Sequence, residues 1–138
     1  NRSEVMKLNI ELKKIDKDTL KVGDVVGIMR PVRTGWYSQF RHMRVVPAKI
    51  VRITPKRTKI ETDQFGVHDK NEHFYEYDGN AKKENKLAFQ FETFKDGAYK
   101  LVEFNRSFGL EIISDEDLPE VAEHMKAITE ILEKYKEK

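Results

Sequence analysis

The sequence predicts a mainly β, α+β fold, in which a small antiparallel β-barrel or strongly bent sheet is followed by a C-terminal α-helix. Two observations lead to this prediction. In residues 1–113, short stretches alternate apolar and polar side chains between turn signals, a pattern typical of half-buried strands. From Leu118 to Tyr135, apolar residues instead recur at steps of three and four, which indicates an amphipathic helix. A chain of 138 residues is predicted to form one domain, 1–138, with the helix of residues 114–138 packed on the barrel.

The first half of the chain is predicted to contain four strands and one long loop. Apolar and polar residues alternate at the N-terminus, so one face of the first strand is expected to be buried. The Gly23-Asp24 turn leads into a β-branched strand, after which Pro31 and Gly35 interrupt the periodicity. The predicted strands cover residues 6–12, 25–29, 45–54 and 59–63, and the predicted loop covers residues 30–44.

The second half is predicted to add short strands before the final helix. Asp96-Gly97 is a strong hairpin signal, because glycine accepts the positive φ of a tight turn. Residues 80–86 are small and charged, without an apolar face, and are predicted to form an exposed, mobile loop. Ser114 precedes three acidic residues and is predicted to cap the helix. The predicted strands of this half cover residues 73–77, 87–91, 99–104 and 108–113.

Charge is unevenly distributed along the chain. Between Val25 and Ile60 there are nine Lys or Arg residues and no Asp or Glu, although the whole chain has a net charge of only +2. Aromatic rings lie among these cations at Trp36, Tyr37 and Phe40. Cations neutralise phosphates and rings stack on bases, so this composition suits a nucleic acid.

The segment Leu20-Lys21-Val22-Gly23-Asp24-Val25-Val26 resembles the entry into SH3-like barrels, in which KOW-type and Tudor-like modules often begin with Gly-Asp followed by a β-branched strand. The resemblance covers residues 19–65 and implies a small barrel whose long loop flanks a ligand groove. Pro47-Ala48-Lys49 stands where a KOW pattern has a glycine. More loosely, the chain resembles the small, charged, barrel-like proteins of phages and mobile elements.

The predicted function is non-enzymatic nucleic-acid binding through the basic and aromatic surface of residues 30–59. The ligand is expected to be DNA or RNA, single-stranded or recognised through its backbone. Trp36, Tyr37 and Phe40 are predicted to stack on bases. The predicted backbone contacts are Arg33, Arg41, Arg44, Arg52, Lys56, Arg57 and Lys59.

Three other interpretations stay open at this stage. The same loop suits a protein-interaction module, such as a phage-type effector or inhibitor of a host protein, because Trp, Tyr and Arg are enriched at interface hot spots. A second alternative is a subunit of a larger assembly that makes its contact through the helix. Alternatively, the strand cations only solvate the surface and protect sheet edges, while Trp36 and Phe40 cap the core.

Motifs for catalysis or metal binding are absent from the sequence. The chain has no cysteine, which excludes disulfides and thiolate zinc sites. His68 and His73 match no zinc spacing, and neither a phosphate-binding glycine loop nor a nucleophile elbow is present. No enzyme activity, metal or cofactor is therefore predicted. The sequence also predicts no membrane contact and a cytoplasmic location, and it leaves the oligomeric state open.

Overall fold

The computed structural model describes residues 10–136 and contains four strands and two α-helices. This composition confirms the α+β class, but the helices contain more residues than the strands, so the prediction of a mainly β fold is wrong. Two short 3₁₀ turns, Lys17–Thr19 and Leu110–Ile112, complete the regular structure of these residues. The strands are β1 (Val25–Arg30), β2 (Arg44–Ile53), β3 (Ile60–Thr62) and β4 (Gly66–His68). The helices are α1 (Gly79–Ser107) and α2 (Leu118–Lys136).

The four strands form one antiparallel sheet in the order β1-β2-β3-β4. Three of the four strands predicted in the first half are confirmed to within a residue or two, as is the long loop between β1 and β2. Among residues 10–136 the sheet is open, so of the two predicted forms, a barrel or a strongly bent sheet, the barrel is not confirmed. Its last two strands have only three residues each, and residues 87–91 and 99–104, which were predicted to add strands, are helical instead.

The core lies on one face of this sheet, and the alternation of side chains places it there. Val26 and Ile28 of β1 and Ile50 of β2 point inwards, and Ile60 of β3 joins them. Phe74 covers this cluster and is almost completely buried. Successive residues of a strand face opposite sides, so the outer face of β2–β4 is left for polar and charged groups.

The turn before β1 supports the start of the sheet. Gly23 has a φ of +99°, a region that side chains with a Cβ rarely adopt. Its N–H donates to the Ile50 carbonyl at 2.8 Å, and the Asp24 carbonyl accepts from the Ile50 N–H at 2.8 Å. These two bonds extend the pairing of β1 with β2 beyond the strand itself.

Helix α1 covers residues that were predicted to form a loop (80–86) and two strands (87–91 and 99–104), so those three predictions are wrong. Asp78 accepts a hydrogen bond from the Ala81 N–H at 3.0 Å and therefore caps the N-terminus of α1. Ala81, Glu84 and Ala88 are buried, at helical spacing. The apolar residues of α1 lie on all sides of the helix, so residues 87–91 appear in the sequence as an alternation of apolar and polar positions. The predicted hairpin at 96–97 lies inside the helix, and the strand predicted over 108–113 is replaced by the second 3₁₀ turn.

Two other predicted strands have different outcomes. In residues 73–77, only Tyr75 forms bridges, one with Gly27 and one with Lys14, so this segment crosses the sheet edge without forming a strand. The strand predicted over residues 6–12 lies mostly outside the described residues, and its last three residues have no strand structure.

The chain divides into two compact units, with the boundary between Lys95 and Asp96. In the second unit, the predicted C-terminal helix is confirmed as α2, and the Ser114 hydroxyl accepts a hydrogen bond from the Asp117 N–H at 3.2 Å. No residue of α2 is buried, and its packing on the sheet stays a prediction. Neither α1 nor α2 has the length and apolar character needed to cross a membrane.

Candidate nucleic-acid interface

The loop between β1 and β2 has two exposed aromatic residues at its turn, Trp36 and Tyr37, here called the aromatic tip. Below the tip, the Thr34 N–H donates to the Ser38 carbonyl at 3.1 Å, and the two hydroxyls are 2.8 Å apart. These bonds close the loop into a narrow hairpin. Trp36 is 91% exposed and Tyr37 is 97% exposed, so their ring faces are free to stack on a ligand.

The base of this loop is fixed to α1 by aromatic packing. The Phe40 N–H donates to the Val32 carbonyl at 2.8 Å, which positions Phe40 towards the helix. Its ring stacks on Phe91 with centroids 4.0 Å apart and planes 7° apart, and the Arg41 guanidinium lies 4.6 Å from its centroid. Phe40 was predicted to stack on a base, but in this arrangement it anchors the loop.

A buried ionisable pair adds a second link between the loop and α1. The Nδ1–H of His42 donates to Glu84 Oε1 at 2.7 Å, and the Met43 N–H donates to Glu84 Oε2 at 2.8 Å. Both His42 and Glu84 are buried. A buried carboxylate is stable only when its oxygens accept hydrogen bonds, so this pair specifies how the loop sits on the helix.

Arg44, at the start of β2, is held by α1. Its Nε donates to Asn85 Oδ1 at 2.7 Å, and its Nη1 donates to Glu92 Oε1 at 2.9 Å. Its guanidinium also lies 5.1 Å from the Phe89 ring centroid. Two of its five N–H donors are therefore used within the fold, and its side chain is fixed in place by α1.

The two other arginines of the loop, Arg33 and Arg41, are exposed. Neither makes a salt bridge with any residue between 10 and 136. The backbone of Arg33 accepts a hydrogen bond from Lys95 Nζ at 3.0 Å, which adds a third cation near the loop. The aromatic tip thus stands between two arginines whose charges are available to a ligand.

The remaining predicted contacts lie near the other end of β2 and in the turn that follows it. In the turn that joins β2 to β3, Arg57 donates through Nη2 to the carbonyls of Lys17 and Leu20. Its Nε is buried without a hydrogen-bond partner among the described residues and lies 3.9 Å from Asp18 Oδ1. Arg57, like Arg44, has a structural role in this arrangement.

A shallow groove of about 360 Å³ lies beside this turn. Arg52, Lys59 and Glu61 line it, together with Thr54 and Val67. Arg52 and Lys59 are exposed, as is Lys56 at the turn. The groove has two cations and one carboxylate, so an anionic ligand placed there would meet both attraction and repulsion.

Of the ten predicted residues, three are held within the fold, and the seven exposed ones form two groups at opposite ends of β2. β2 has ten residues, and at about 3.3 Å per residue its ends are about 30 Å apart. Phe40, Arg44 and Arg57 are held within the fold. The exposed residues near the start of β2 are Arg33, Trp36, Tyr37 and Arg41, and those near its end are Arg52, Lys56 and Lys59.

Sequence reasoning missed the residues that hold the loop in place. Glu84 and Asn85 were predicted to lie in a mobile loop and Phe91 in a strand. These three residues and Glu92 lie on α1 and contact either β2 or the loop that precedes it. The buried positions Ala81, Glu84 and Ala88 have helical spacing, but Glu84 is charged, so this spacing forms no apolar stripe in the sequence.

A second unpredicted arrangement joins Thr62, His68 and Glu72. Thr62 Oγ1 lies 2.9 Å from His68 Nε2, and His68 Nδ1 lies 2.7 Å from Glu72 Oε2. The hydroxyl–imidazole–carboxylate order is that of a hydrolase triad. Thr62 is 2% exposed and His68 is 1% exposed, so no substrate reaches them, and the network supports the core instead.

Metal ligands are also not clustered. Between residues 10 and 136, no group of three or more His, Cys, Asp or Glu side chains is arranged to hold a metal ion. Comparison with family models, with curated proteins and with solved structures gave no match to this chain.

Proposed function

We propose that this protein is a non-enzymatic nucleic-acid-binding protein that uses the aromatic tip and its flanking arginines. The observation that carries the proposal is the almost complete exposure of the adjacent rings of Trp36 and Tyr37 in a loop with no acidic residue. Exposing two large rings to water is unfavourable, so their position is best explained by a ligand that covers them. Arg33 and Arg41 would pair with the phosphates on either side.

The geometry favours a single strand. Bases in a duplex are already stacked on each other, whereas unpaired bases are free to stack on a protein ring. Each such stack contributes about 1–3 kcal/mol, without selecting a sequence. Recognition is therefore expected to depend on unpaired bases and on charge. The resemblance of residues 19–65 to SH3-like modules agrees with this proposal, since it assigns the ligand groove to the same loop.

The second basic group sets a length requirement. Phosphates of a strand stacked as in a duplex are about 3.4 Å apart and those of an extended strand are farther apart, so a ligand that spans the two ends of β2 needs at most about nine nucleotides. A shorter strand contacts only the aromatic tip. With two phosphate contacts the slope of log affinity against log salt is about −1.4, and with five contacts it is about −3.5.

Fluorescence of Trp36, the only tryptophan, tests the proposal. We expect single-stranded oligonucleotides to quench it, with affinity that falls as salt rises. Tyr37→Ala should weaken binding by about 5- to 150-fold, the equivalent of one lost base stack. Arg33→Gln with Arg41→Gln should bring the salt slope close to zero for a four-nucleotide strand. Absence of quenching by DNA or RNA at low salt would reject nucleic acid as the ligand.

A protein-interaction module is the second candidate, and the same exposed tip supports it. Trp, Tyr and Arg are the residues most enriched at interface hot spots. An interface with a hydrophobic centre responds weakly to salt, whereas phosphate contacts respond steeply. If Tyr37→Ala abolishes capture of a protein partner and oligonucleotides give no signal, the partner is a protein.

A further inference from the structure

The second unit of the chain exposes an unusual amount of apolar surface. In α2, six large apolar side chains are between 39% and 66% exposed. These residues are Leu118, Val121, Ile128, Ile131, Leu132 and Tyr135. A further seven exposed large apolar residues lie between positions 99 and 112. No residue of α2 is buried, so this helix has no core of its own.

A helix of this kind needs a partner. Most helices in proteins are stabilised by packing of their apolar face rather than by helix propensity. α2 has 19 residues and includes β-branched Val121, Ile128, Thr129 and Ile131, which lower helix propensity. Its fold therefore depends on whatever covers its apolar face.

The spacing of that face indicates that another helix covers it. The sequence positions 118, 121, 125, 128, 132 and 135 alternate steps of three and four, the repeat of helices that pack along their length. Charged residues such as Glu123, Lys126 and Glu130 lie between them, on the opposite side. The apolar stripe runs over the whole helix, about 28 Å at 1.5 Å per residue.

The exposed area matches what a dimer requires. An aromatic side chain has about 150–250 Å² of surface and aliphatic ones have less, so the six partly exposed α2 residues leave an area on the order of several hundred Å² uncovered. The apolar residues between 99 and 112 add a similar area. A standard interface needs about 800 Å² from each partner, whereas the largest apolar patch on a typical monomer is about 300–600 Å².

Charge at the two ends of α2 selects the orientation. Asp115, Glu116 and Asp117 precede the helix, and Lys134 and Lys136 lie in its last turn. In an antiparallel pair the acidic end of one copy lies beside the basic end of the other. In a parallel pair, like charges meet at both ends and the helix dipoles are aligned unfavourably.

We propose that this protein forms a homodimer in which α2 pairs with α2 of a second copy in the antiparallel orientation. The two-fold axis passes between Met125 and Ile128. Met125 of one copy therefore contacts Ile128 of the second copy, and Ile128 of the first contacts Met125 of the second. Leu118 of one copy then lies beside Tyr135 of the other, and Val121 lies beside Leu132. Such an interface is isologous and closes on itself.

Sedimentation equilibrium of the full chain tests the association. We expect a monomer–dimer equilibrium, with Ile128→Asp monomeric up to a concentration at least 100-fold above the wild-type dissociation constant. Ala127→Asp is the matched control, because it adds the same charge to the polar side of the same helix and should leave the dimer intact. Amide hydrogen exchange in β1 and β2 of the Ile128→Asp chain checks that the sheet stays folded. A wild-type chain that stays monomeric at 0.1 mM would overturn the proposal, as would an Ile128→Asp chain that still dimerises.

Spin labels test the orientation. The chain has no cysteine, so Glu116→Cys provides a single labelling site just before α2. In the antiparallel dimer the two labels should be about 30 Å apart, at 1.5 Å per residue, whereas a parallel dimer places them about 10–15 Å apart, close to the usual distance between packed helices. A short distance, or no dipolar coupling at dimer concentrations, would contradict the antiparallel pair.

Discussion

Arg44 and Arg41 offer a sharp comparison between a structural and a ligand-binding arginine. They are three residues apart and have the same chemistry, yet Arg44 donates to Asn85 and Glu92 whereas Arg41 is exposed. We expect Arg44→Ala to destabilise the first unit strongly and Arg41→Ala to have little effect on stability. For nucleic-acid binding we expect the opposite order.

The magnitude for Arg44→Ala follows from its contacts. The bond from Nε to the Asn85 amide is worth about 1.5 kcal/mol, as expected for a charged donor. The side chains of Arg44 and Glu92 are 30% and 34% exposed, so screening reduces their ion pair to about 0.5–1 kcal/mol. Contact with the Phe89 ring adds about 0.5 kcal/mol. The total is about 2.5–3 kcal/mol, against about 0.5–1 kcal/mol for Arg41→Ala, which loses only its contact with Phe40.

Amide hydrogen exchange in β1 and β2 is the assay, because it reports the opening free energy of the sheet alone. Trp36 fluorescence is unsuitable here, since this ring is exposed in the folded protein. Measurements at low temperature keep both variants folded for the binding titration, in which only Arg41→Ala should reduce the salt slope, by about 0.7. Equal destabilisation by the two substitutions would refute the structural role of Arg44, and an unchanged slope for Arg41→Ala would refute its contact with phosphate.

Two further substitutions test the packing that positions the loop. Glu84→Ala leaves the His42 ring and the Met43 N–H without their partner and should reduce the free energy of unfolding by about 3 kcal/mol. Glu84→Gln keeps an acceptor and should reduce it less. Similar urea midpoints for the two variants would contradict this reasoning. Gly27→Ala places a Cβ 2.8 Å from the Val45 side chain, inside a paired strand, so we expect a loss of about 1–3 kcal/mol. An unchanged melting temperature would mean that β1 and β2 adjust without strain.

Local sequence patterns were sufficient for part of the fold. β1, β2, β3 and α2 were predicted because their apolar spacing is regular and the turns beside them have glycine or proline. α1 was missed because apolar residues lie on all its sides, so positions 87, 89 and 91 appeared to alternate. Only the burial of one side of this helix, at Ala81, Glu84 and Ala88, distinguishes it from a strand, and burial depends on distant residues.

The candidate site shows the same division. The order of the residues alone places cations and aromatic rings between β1 and β3, with no acidic residue among them. The tertiary structure decided which of them are available. Phe40, Arg44 and Arg57 are used by the fold, while Trp36 and Tyr37 remain exposed. Composition is a property of the chain, but a side chain is free or occupied only according to the partners that folding brings to it.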